Sequence, residues 1–535
     1  MEKRTIIALL LILAVFWISS ELFWKNKQQT PVQPPSVKKS AEQTAETIPE
    51  ETIEPIQTKP ESLNIPETEI ISDIEINNEI ILEDELMKIF FSNRGGVIIK
   101  IELKDYLLSD KTTLVNLIPE NQTALNISLQ SQSGTSQNFS NTVFQYEKFE
   151  NSVSFFIQTE KGNIEKKYTL LEKYQLDFEI NVESTEELAN YTVSLDGGIA
   201  DTEEYLKMKK RDYKVVSQMD NSIVKYTLSK LKEKKEISGK IDWAAIRSKY
   251  FVMGIIPNEL IDLNKLLAFQ SNDSPAIKLS VDVKRFNFSH QYKLYFGPLI
   301  NKYLTVWKNG FTKVQEGQGF LKPISDIFVW FLQTLDKVIP NYGINIILFS
   351  LVLKIILYPL THKSFESSTK MQKIQPLMRE VQTKYKSDPK TMQAELKKLY
   401  KEHGVSPLGG CLPMLLQMPV FFALYPILRY SIELRQTPFL WLPDLSEPDP
   451  YIILPIVMAV FMFIQQKLMA PSRQALDEMD DKQKAQMQSQ KMMMYFMPIM
   501  MFFLFKSFPS GLVLYWTVFN VMSIFQQRII KKKFK

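Results

Sequence analysis

One lysine of this chain lies within a long apolar segment, where a charged side chain is energetically unfavourable. Lys354 is near the middle of INIILFSLVLKIILYPL, Ile344–Leu360, which is otherwise almost wholly apolar. A charged side chain at the centre of a membrane helix costs roughly 2.5–3.5 kcal/mol on insertion scales. Pairing with an intramembrane acid is excluded within the C-terminal half, since the five long apolar segments after residue 340 contain no Asp or Glu. Snorkelling of the amine to the headgroups stays open. An unpaired ammonium at this depth predicts a water-filled cavity, open to the cytoplasm, that attracts anionic groups.

Other polar side chains in the apolar segments are candidates for the lining of the same cavity. Ser350 is one turn before Lys354 on the same helix face. The remaining candidates are Gln417 in CLPMLLQMPVFFALY and Tyr515, Trp516 and Asn520 in GLVLYWTVFN. Prolines such as Pro413 loosen helices and would help to open a cavity.

Composition excludes several kinds of chemistry. With a single cysteine, Cys411, the chain has no intramolecular disulfide and no cysteine-based metal site. The three histidines, His290, His362 and His403, are far apart in sequence and unlike in context. A net charge of +5 is mild and gives no indication of DNA binding. We therefore expect no metal, no cofactor and no enzymatic activity.

The apolar segments predict a multidomain membrane protein with six transmembrane helices. Residues 1–24 form an uncleaved N-terminal anchor, because the apolar run continues to Trp24 with no small-residue cleavage site. The other five predicted spans are Tyr342–Leu360, Leu408–Tyr430, Tyr451–Lys467, Met492–Phe505 and Gly511–Phe525. The basic segments 362–405 and 528–535 are then cytoplasmic, and the acidic loop 433–450 is outside. Both termini are predicted to be cytoplasmic.

Outside the predicted spans, composition and hydrophobic periodicity divide the chain into regions. Residues 25–66 are rich in Pro, Gln, Thr and Glu and predict a disordered tether. Residues 67–316 show alternating strands with turn signals and predict an antiparallel β-sandwich. Residues 317–340 have an apolar stripe at helical spacing and predict an amphipathic helix at the membrane surface, with an ordinary core helix as the alternative. Residues 341–535 contain the five later spans.

A helical hairpin is predicted for residues 362–405. Met371, Ile374, Met378, Val381 and Tyr385 form the apolar stripe of its first helix. Asp388 and Pro389 are a typical N-cap and first-turn pair for the second. The basic excess of the hairpin fits an acidic partner, RNA or lipid headgroups equally well.

Two long stretches of the chain resemble a known family. SPLGGCLPMLLQMPVFFALYPILRYSIELRQTPFLWLPDLSEPDPYIILPIVMAVFMFIQQKL, followed by FPSGLVLYWTVFN, resembles the YidC/Oxa/Alb family of membrane protein insertases. WAAIRSKYF and YFGPL resemble the large periplasmic domain of its Gram-negative members. The resemblance covers nearly all of the chain except the tether. It implies an insertase and chaperone of the inner membrane, with a five-helix core and a periplasmic β-supersandwich of galactose-mutarotase-like type.

The resemblance also implies a site and partners. Lys354 occupies the position of the basic residue in the family's hydrophilic groove, where arginine is usual; lysine, unlike arginine, loses its proton when desolvated. Gln417, Tyr515 and Trp516 match other groove positions, and we expect Pro413, Phe421 and Met458 to contact the apolar part of a client. Implied partners are nascent membrane proteins, the Sec translocon, lipid, and ribosome or signal recognition components at the hairpin and basic tail.

Three other functions predict different features of the sequence. A transporter with Lys354 at its substrate site predicts an internal repeat and a coupling carboxylate, and the sequence has neither. A sugar-modifying enzyme predicts a His and acid pair in the β-sandwich, where His290 is the only histidine. A passive scaffold in envelope assembly stays open for the β-sandwich alone.

Overall fold

The computed structural model describes residues 76–77, 79–258, 261–307, 310–316, 319, 321–406, 412–469 and 495–533. The predicted anchor and tether, residues 1–24 and 25–66, lie outside the described residues, as do Cys411 and the last two residues of the basic tail.

The first half of the described chain is β-structure. Its strands are β1 (Ile80–Glu83), β2 (Met87–Ser92), β3 (Val97–Leu107), β4 (Leu114–Asn116), β5 (Asn126–Ser131), β6 (Ser136–Asn138), β7 (Gln145–Lys148), β8 (Ser152–Thr159), β9 (Gly162–Leu171), β10 (Gln175–Leu195), β11 (Lys214–Met219), β12 (Ser222–Thr227), β13 (Lys235–Ser238), β14 (Ile241–Arg247), β15 (Phe251–Pro257), β16 (Leu263–Ser271) and β17 (Ser274–Pro298). They form a sheet of four strands, β1 to β4, and a sheet of thirteen.

Two long antiparallel strands form the centre of the larger sheet. β10 pairs with β17 from Gln175↔Tyr295 to Leu195↔Ile277, with a register shift after Glu183. Along β9, residues alternate between buried and partly exposed, which is the period-2 pattern of a strand with one face on a core. Side chains from both sheets share one apolar cluster. The predicted antiparallel β-sandwich is confirmed.

The second half of the described chain is helical. Its helices are α1 (Lys322–Asp336), α2 (Tyr342–Lys373), α3 (Gln375–Lys384), α4 (Pro389–Glu402), α5 (Leu412–Tyr430), α6 (Ile453–Met469), α7 (Tyr495–Phe505) and α8 (Ser510–Lys533). Among these, α2 is long and apolar enough to cross a bilayer by length and composition, and α5, α6 and α7 contain shorter apolar stretches.

The predicted hairpin differs from the structure at its first helix. α2 continues without interruption to Lys373, and α3 then begins at Gln375 with Pro376 in its first turn. The apolar stripe from Met371 to Tyr385 was predicted to lie on one helix and is divided between two, because a proline is favoured at a helix start and not in its interior. The second helix begins as predicted, with the Asp388 carboxylate accepting from the backbone N–H groups of Lys390 and Thr391.

Buried charges connect the β-sandwich to the helical part. The pairs are Asp212–Arg429 at 2.5 Å, Glu447–Lys249 at 2.5 Å and Glu203–Arg435 at 2.7 Å. We call these three pairs the interdomain ion pairs. Burial raises the pKa of Glu203, and the neighbouring charge of Arg435 opposes that shift. The β-sandwich is thus held on the end of the helical part where α5 ends and α8 begins.

Candidate functional site

The amine of Lys354 is enclosed between two parallel helices. Lys354 is twelve residues from the start of α2, about 18 Å along its axis. Its Nζ donates to Ser523 Oγ of α8 at 2.7 Å. The ring of Phe519 lies 4.3 Å from Nζ and the ring of Phe365 lies 5.6 Å from it. The ammonium is therefore held by one hydroxyl and two aromatic faces.

Within the described residues, no carboxylate forms an ion pair with Lys354. The side chain is 3% exposed, so the amine is packed among protein groups and does not face the water-filled cavity expected from the sequence. The reason is that Ser523 and the two rings supply an acceptor and negative ring faces to the cation. The charge is solvated by the protein but not neutralised.

A polar seam continues from this point along α2 and α8. Thr361 Oγ1 donates to Gln526 Oε1 at 3.2 Å, and Gln526 Nε2 also approaches the Tyr358 carbonyl at 3.4 Å. Gln527 is 6% exposed, and neither its amide nitrogen nor its amide oxygen has a hydrogen-bond partner among the described residues. The facing polar surfaces of the two helices thus extend from Lys354 toward their C-terminal ends.

Sequence reasoning missed Ser523, Gln526 and Gln527, which lie beyond the quoted motif. A signal was present, because Asn520, Ser523 and Gln527 follow i, i+3, i+7 spacing and share one helix face. In an apolar segment, polar residues with this spacing indicate a face turned away from lipid. Asn520 is 6% exposed, and its Nδ2 has no partner among the described residues.

The other predicted residues lie near α8 in two directions. Gln417 Nε2 of α5 donates to Tyr515 Oη at 2.5 Å, and the ring of Tyr515 lies 6.1 Å from that of Phe519. The chain of contacts Gln417–Tyr515–Phe519–Lys354 therefore connects three helices. Ser350 is buried, but its hydroxyl donates to the Ile346 carbonyl of its own helix at 2.6 Å and is not directed at Lys354.

Trp516 belongs to an aromatic cluster and not to the polar seam. Its ring lies 5.7 Å from that of Phe421 and 5.1 Å from that of Phe505. Phe421 also contacts Phe508 at 6.0 Å. Met458 of α6 is fully buried in the helical core. Pro413 lies in the first turn of α5, and its side chain is outside the described part.

The arrangement supports electrostatic attraction and not bond chemistry. Among the described residues, no group of three or more His, Cys, Asp or Glu side chains could hold a metal ion. His290 of the β-sandwich accepts or donates at Nδ1 with Tyr191 Oη at 2.7 Å, and Tyr191 also contacts Tyr292. Burial lowers the pKa of His290, which favours its neutral form in this tyrosine cluster.

Two family models match the two halves of the chain. Residues 79–331 match the YidC periplasmic domain, and residues 334–535 match the 60Kd inner membrane protein. The chain is therefore an inner-membrane protein with a periplasmic domain, and the described β-sandwich is that domain.

Relatives match over the full length. A protein of Citrifermentans bemidjiense named membrane protein insertase YidC is 35% identical over 99% of both chains. A protein of the same name from Prosthecochloris aestuarii is 31% identical over 99% of this chain and 95% of the relative. A crystal structure of an active YidC insertase aligns with 84% of this chain and 92% of its own at 19% identity and a TM-score of 0.35, which is too low to add weight.

The two domain matches and the full-length relatives agree with the resemblance that the sequence motifs indicate, and with the prediction that the chain is not an enzyme. The chain belongs to the YidC family of membrane protein insertases.

Proposed function

We propose that this protein inserts nascent membrane proteins into the inner membrane by attracting the polar outer segment of a client to Lys354. The observation that carries the proposal is the position of that amine. It lies about 18 Å along α2, bound to Ser523 and two rings, with no carboxylate paired to it in the described structure.

The attraction of a single charge is comparable to the free-energy cost of moving one carboxylate into the bilayer. Two opposite charges about 6 Å apart attract by about 3 kcal/mol at an effective dielectric constant of about 20. Placing one carboxylate at the centre of a membrane helix costs roughly 2.5–3.5 kcal/mol on insertion scales. The attraction of Lys354 thus offsets most of the cost of carrying one acidic residue into the bilayer. An internal counter-ion would have removed this effect.

The amine has to leave its resting contacts to meet a client. A single hydroxyl and two ring faces hold an ammonium less tightly than a carboxylate would, because a paired buried charge resists separation. We propose that the long side chain of Lys354 turns away from Ser523 into a hydrated groove when a client enters between the helices. Orphan polar groups of Asn520 and Gln527 line the route on α8.

The topology and partners complete the proposal. Six spans place both termini in the cytoplasm, and the apolar part of a client moves past Phe421, Met458 and Pro413 into lipid. Helices α3 and α4 have no buried residues and together contain six Lys and Arg side chains, which suits reception of ribosomes or signal recognition components. We extend the proposal to work with the Sec translocon and to chaperoning of client folding.

The test is insertion of paired reporter proteins in insertase-depleted bacteria that express variants of this chain. One reporter carries two aspartates in its outer tail, and the other carries asparagines there. Lys354→Ala should lower insertion of the acidic reporter roughly 10-fold or more and leave the neutral reporter within about twofold, from the attraction worked above. Lys354→Arg should retain insertion of both.

The matched control is Lys337→Ala, which removes a charge from an exposed position between α1 and α2, outside the site and the hairpin. It should insert both reporters like the unmodified chain. Equal loss of both reporters in Lys354→Ala would mean that the lysine is only structural. Full insertion of the acidic reporter by Lys354→Ala would refute the attraction mechanism.

A further inference from the structure

A cavity of about 440 Å³ lies where the β-sandwich, the start of α1 and the end of α5 meet. It shares no residue with the site described above. Nothing in the insertion mechanism uses it. We call it the junction cavity.

The walls of the junction cavity differ in character. The helical side contributes the apolar residues Val329 of α1 and Pro426 and Ile427 of α5. The β-sandwich side contributes polar groups, including Arg247 and Lys302. An occupant with an apolar part toward the membrane helices and a polar part toward the soluble domain would match both walls.

Two charges of opposite sign line this cavity without an ion-pair partner in the described chain. Lys302 lies in the one-turn helix Asn301–Leu304 that follows β17, and it is exposed. Glu433 follows the end of α5, is exposed, and accepts from Ser431 Oγ at 2.8 Å. The other charged side chains of the lining form two ion pairs, Lys322–Asp326 at 2.7 Å and Arg247–Glu316 at 3.7 Å. The cavity therefore offers a ligand one cationic and one anionic side chain that have no ion-pair partner in the described chain.

The depth of the cavity relative to lipid follows from α1. This helix buries Phe328 and Leu332 against α2 and α5 and exposes Ile327 and Trp330, at 61% and 64%. Exposed apolar and tryptophan side chains on an amphipathic helix are typical of the headgroup level of a bilayer. A cavity beside such a helix opens at the height of phospholipid headgroups.

We propose that the junction cavity binds the headgroup of a zwitterionic phospholipid of the outer leaflet. The phosphodiester pairs with Lys302, the headgroup ammonium pairs with Glu433, and the glycerol and first methylenes lie on Val329, Pro426 and Ile427. A bound lipid at this position fills the seam between the β-sandwich and the membrane helices.

The experiment measures lipid retained by the full-length protein. The chain is reconstituted in nanodiscs of equal phosphatidylethanolamine and phosphatidylglycerol, extracted into mild detergent, and analysed by native mass spectrometry. Glu433→Gln should lower retained phosphatidylethanolamine roughly 3-fold, which lies within the range for one exposed charge pair, and leave phosphatidylglycerol unchanged. Lys302→Gln should lower both lipids, since both contain the phosphodiester.

Controls separate the alternatives. Lys313→Gln removes an exposed lysine of the same domain that does not line the cavity, and it should retain both lipids. Soluble glycerophosphoethanolamine, which lacks acyl chains, should not displace the retained lipid at millimolar concentration. Displacement by this compound would show a site for a free phosphodiester and overturn the lipid assignment. An unchanged ratio of the two lipids in Glu433→Gln would overturn the ammonium contact.

Discussion

The ion pair Asp212–Arg429 gives the sharpest test of how the periplasmic domain is held. Asp212 and Arg429 are 3% and 1% exposed, and the carboxylate also accepts from Tyr430 Oη at 2.9 Å. Arg211 lies 3.5 Å from the same carboxylate and donates to Tyr425 Oη. One buried anion therefore compensates two guanidinium groups at the end of α5.

Asp212→Ala should leave Arg429 buried without its anion. Removing one partner of a buried ion pair costs about 3–5 kcal/mol, because the remaining charge is uncompensated. Arg429 cannot recover this loss from neighbours in place, since its Nε and Nη1 already have no partner among the described residues. Converted at about 1.4 kcal/mol per decade, local opening at this contact becomes roughly 10²- to 4 × 10³-fold more frequent.

Hydrogen–deuterium exchange of the full-length protein in nanodiscs measures this opening in peptides covering 209–216 and 425–434. Asp201→Ala is the matched control, because Asp201 pairs with Lys209 at 2.8 Å but is 37% exposed, and such pairs contribute about 1 kcal/mol or less. Asp212→Leu with Arg429→Met should recover most of the protection, since an apolar pair replaces the ions. Unchanged exchange in Asp212→Ala, or no recovery in the double variant, would refute the reasoning.

Three further outcomes follow from single contacts. Ser523→Ala removes the hydrogen bond to the Lys354 ammonium, which contributes about 1.5–3 kcal/mol, so hydrogen–deuterium exchange in residues 350–361 should rise about 10- to 100-fold. Ser523→Thr keeps the hydroxyl and should leave the exchange rate near its original value. Gly343→Ala places a Cβ 2.1 Å from the Phe439 ring, and this clash should lower the free energy of unfolding by about 1–3 kcal/mol and with it the thermal aggregation midpoint. In the double variant Gly343→Ala with Phe439→Ala, the midpoint should fall by less than the sum of the two single changes. Burial raises the pKa of Glu316, but Arg247, Lys214 and Lys225 together lower it to about 2. Since the folded pKa lies below the ordinary 4.5, about 3 kcal/mol of stability is present above pH 4.5 and is lost as the pH falls toward 2. Acid-unfolding curves of Glu316→Gln should lack this part of the pH dependence. Parallel curves for the variant and the unmodified chain would contradict this prediction.

Hydrophobic periodicity predicted the parts of the fold that depend on the local sequence of a single strand or helix. The β-sandwich follows from local alternation, and the N-cap at Asp388 follows from a local side-chain contact. The partner of Lys354 could not be predicted in the same way. Ser523 lies 169 residues away in sequence, and its position depends on how α2 and α8 pack. The interdomain ion pairs, such as Asp212–Arg429, are separated by a similar distance in sequence, so only the tertiary structure brings them together.

The contacts of α8 differ between the two ends of the helix. At its start, Ser510 Oγ and the Ser510 N–H both donate to the Glu447 carbonyl at 2.8 Å, and Glu447 is paired with Lys249 of the periplasmic domain. Toward its other end, Gln527 is buried with orphan polar atoms, and buried polar groups without partners cost free energy until water or a ligand reaches them. α8 is therefore anchored to the periplasmic domain through Glu447 at its start, whereas its unsatisfied amide groups lie toward its C-terminal end. Lys354 contacts α8 at Ser523, between these two regions, so under the proposed mechanism a client segment entering at the C-terminal end of α8 would meet the charge before it reached the anchored end.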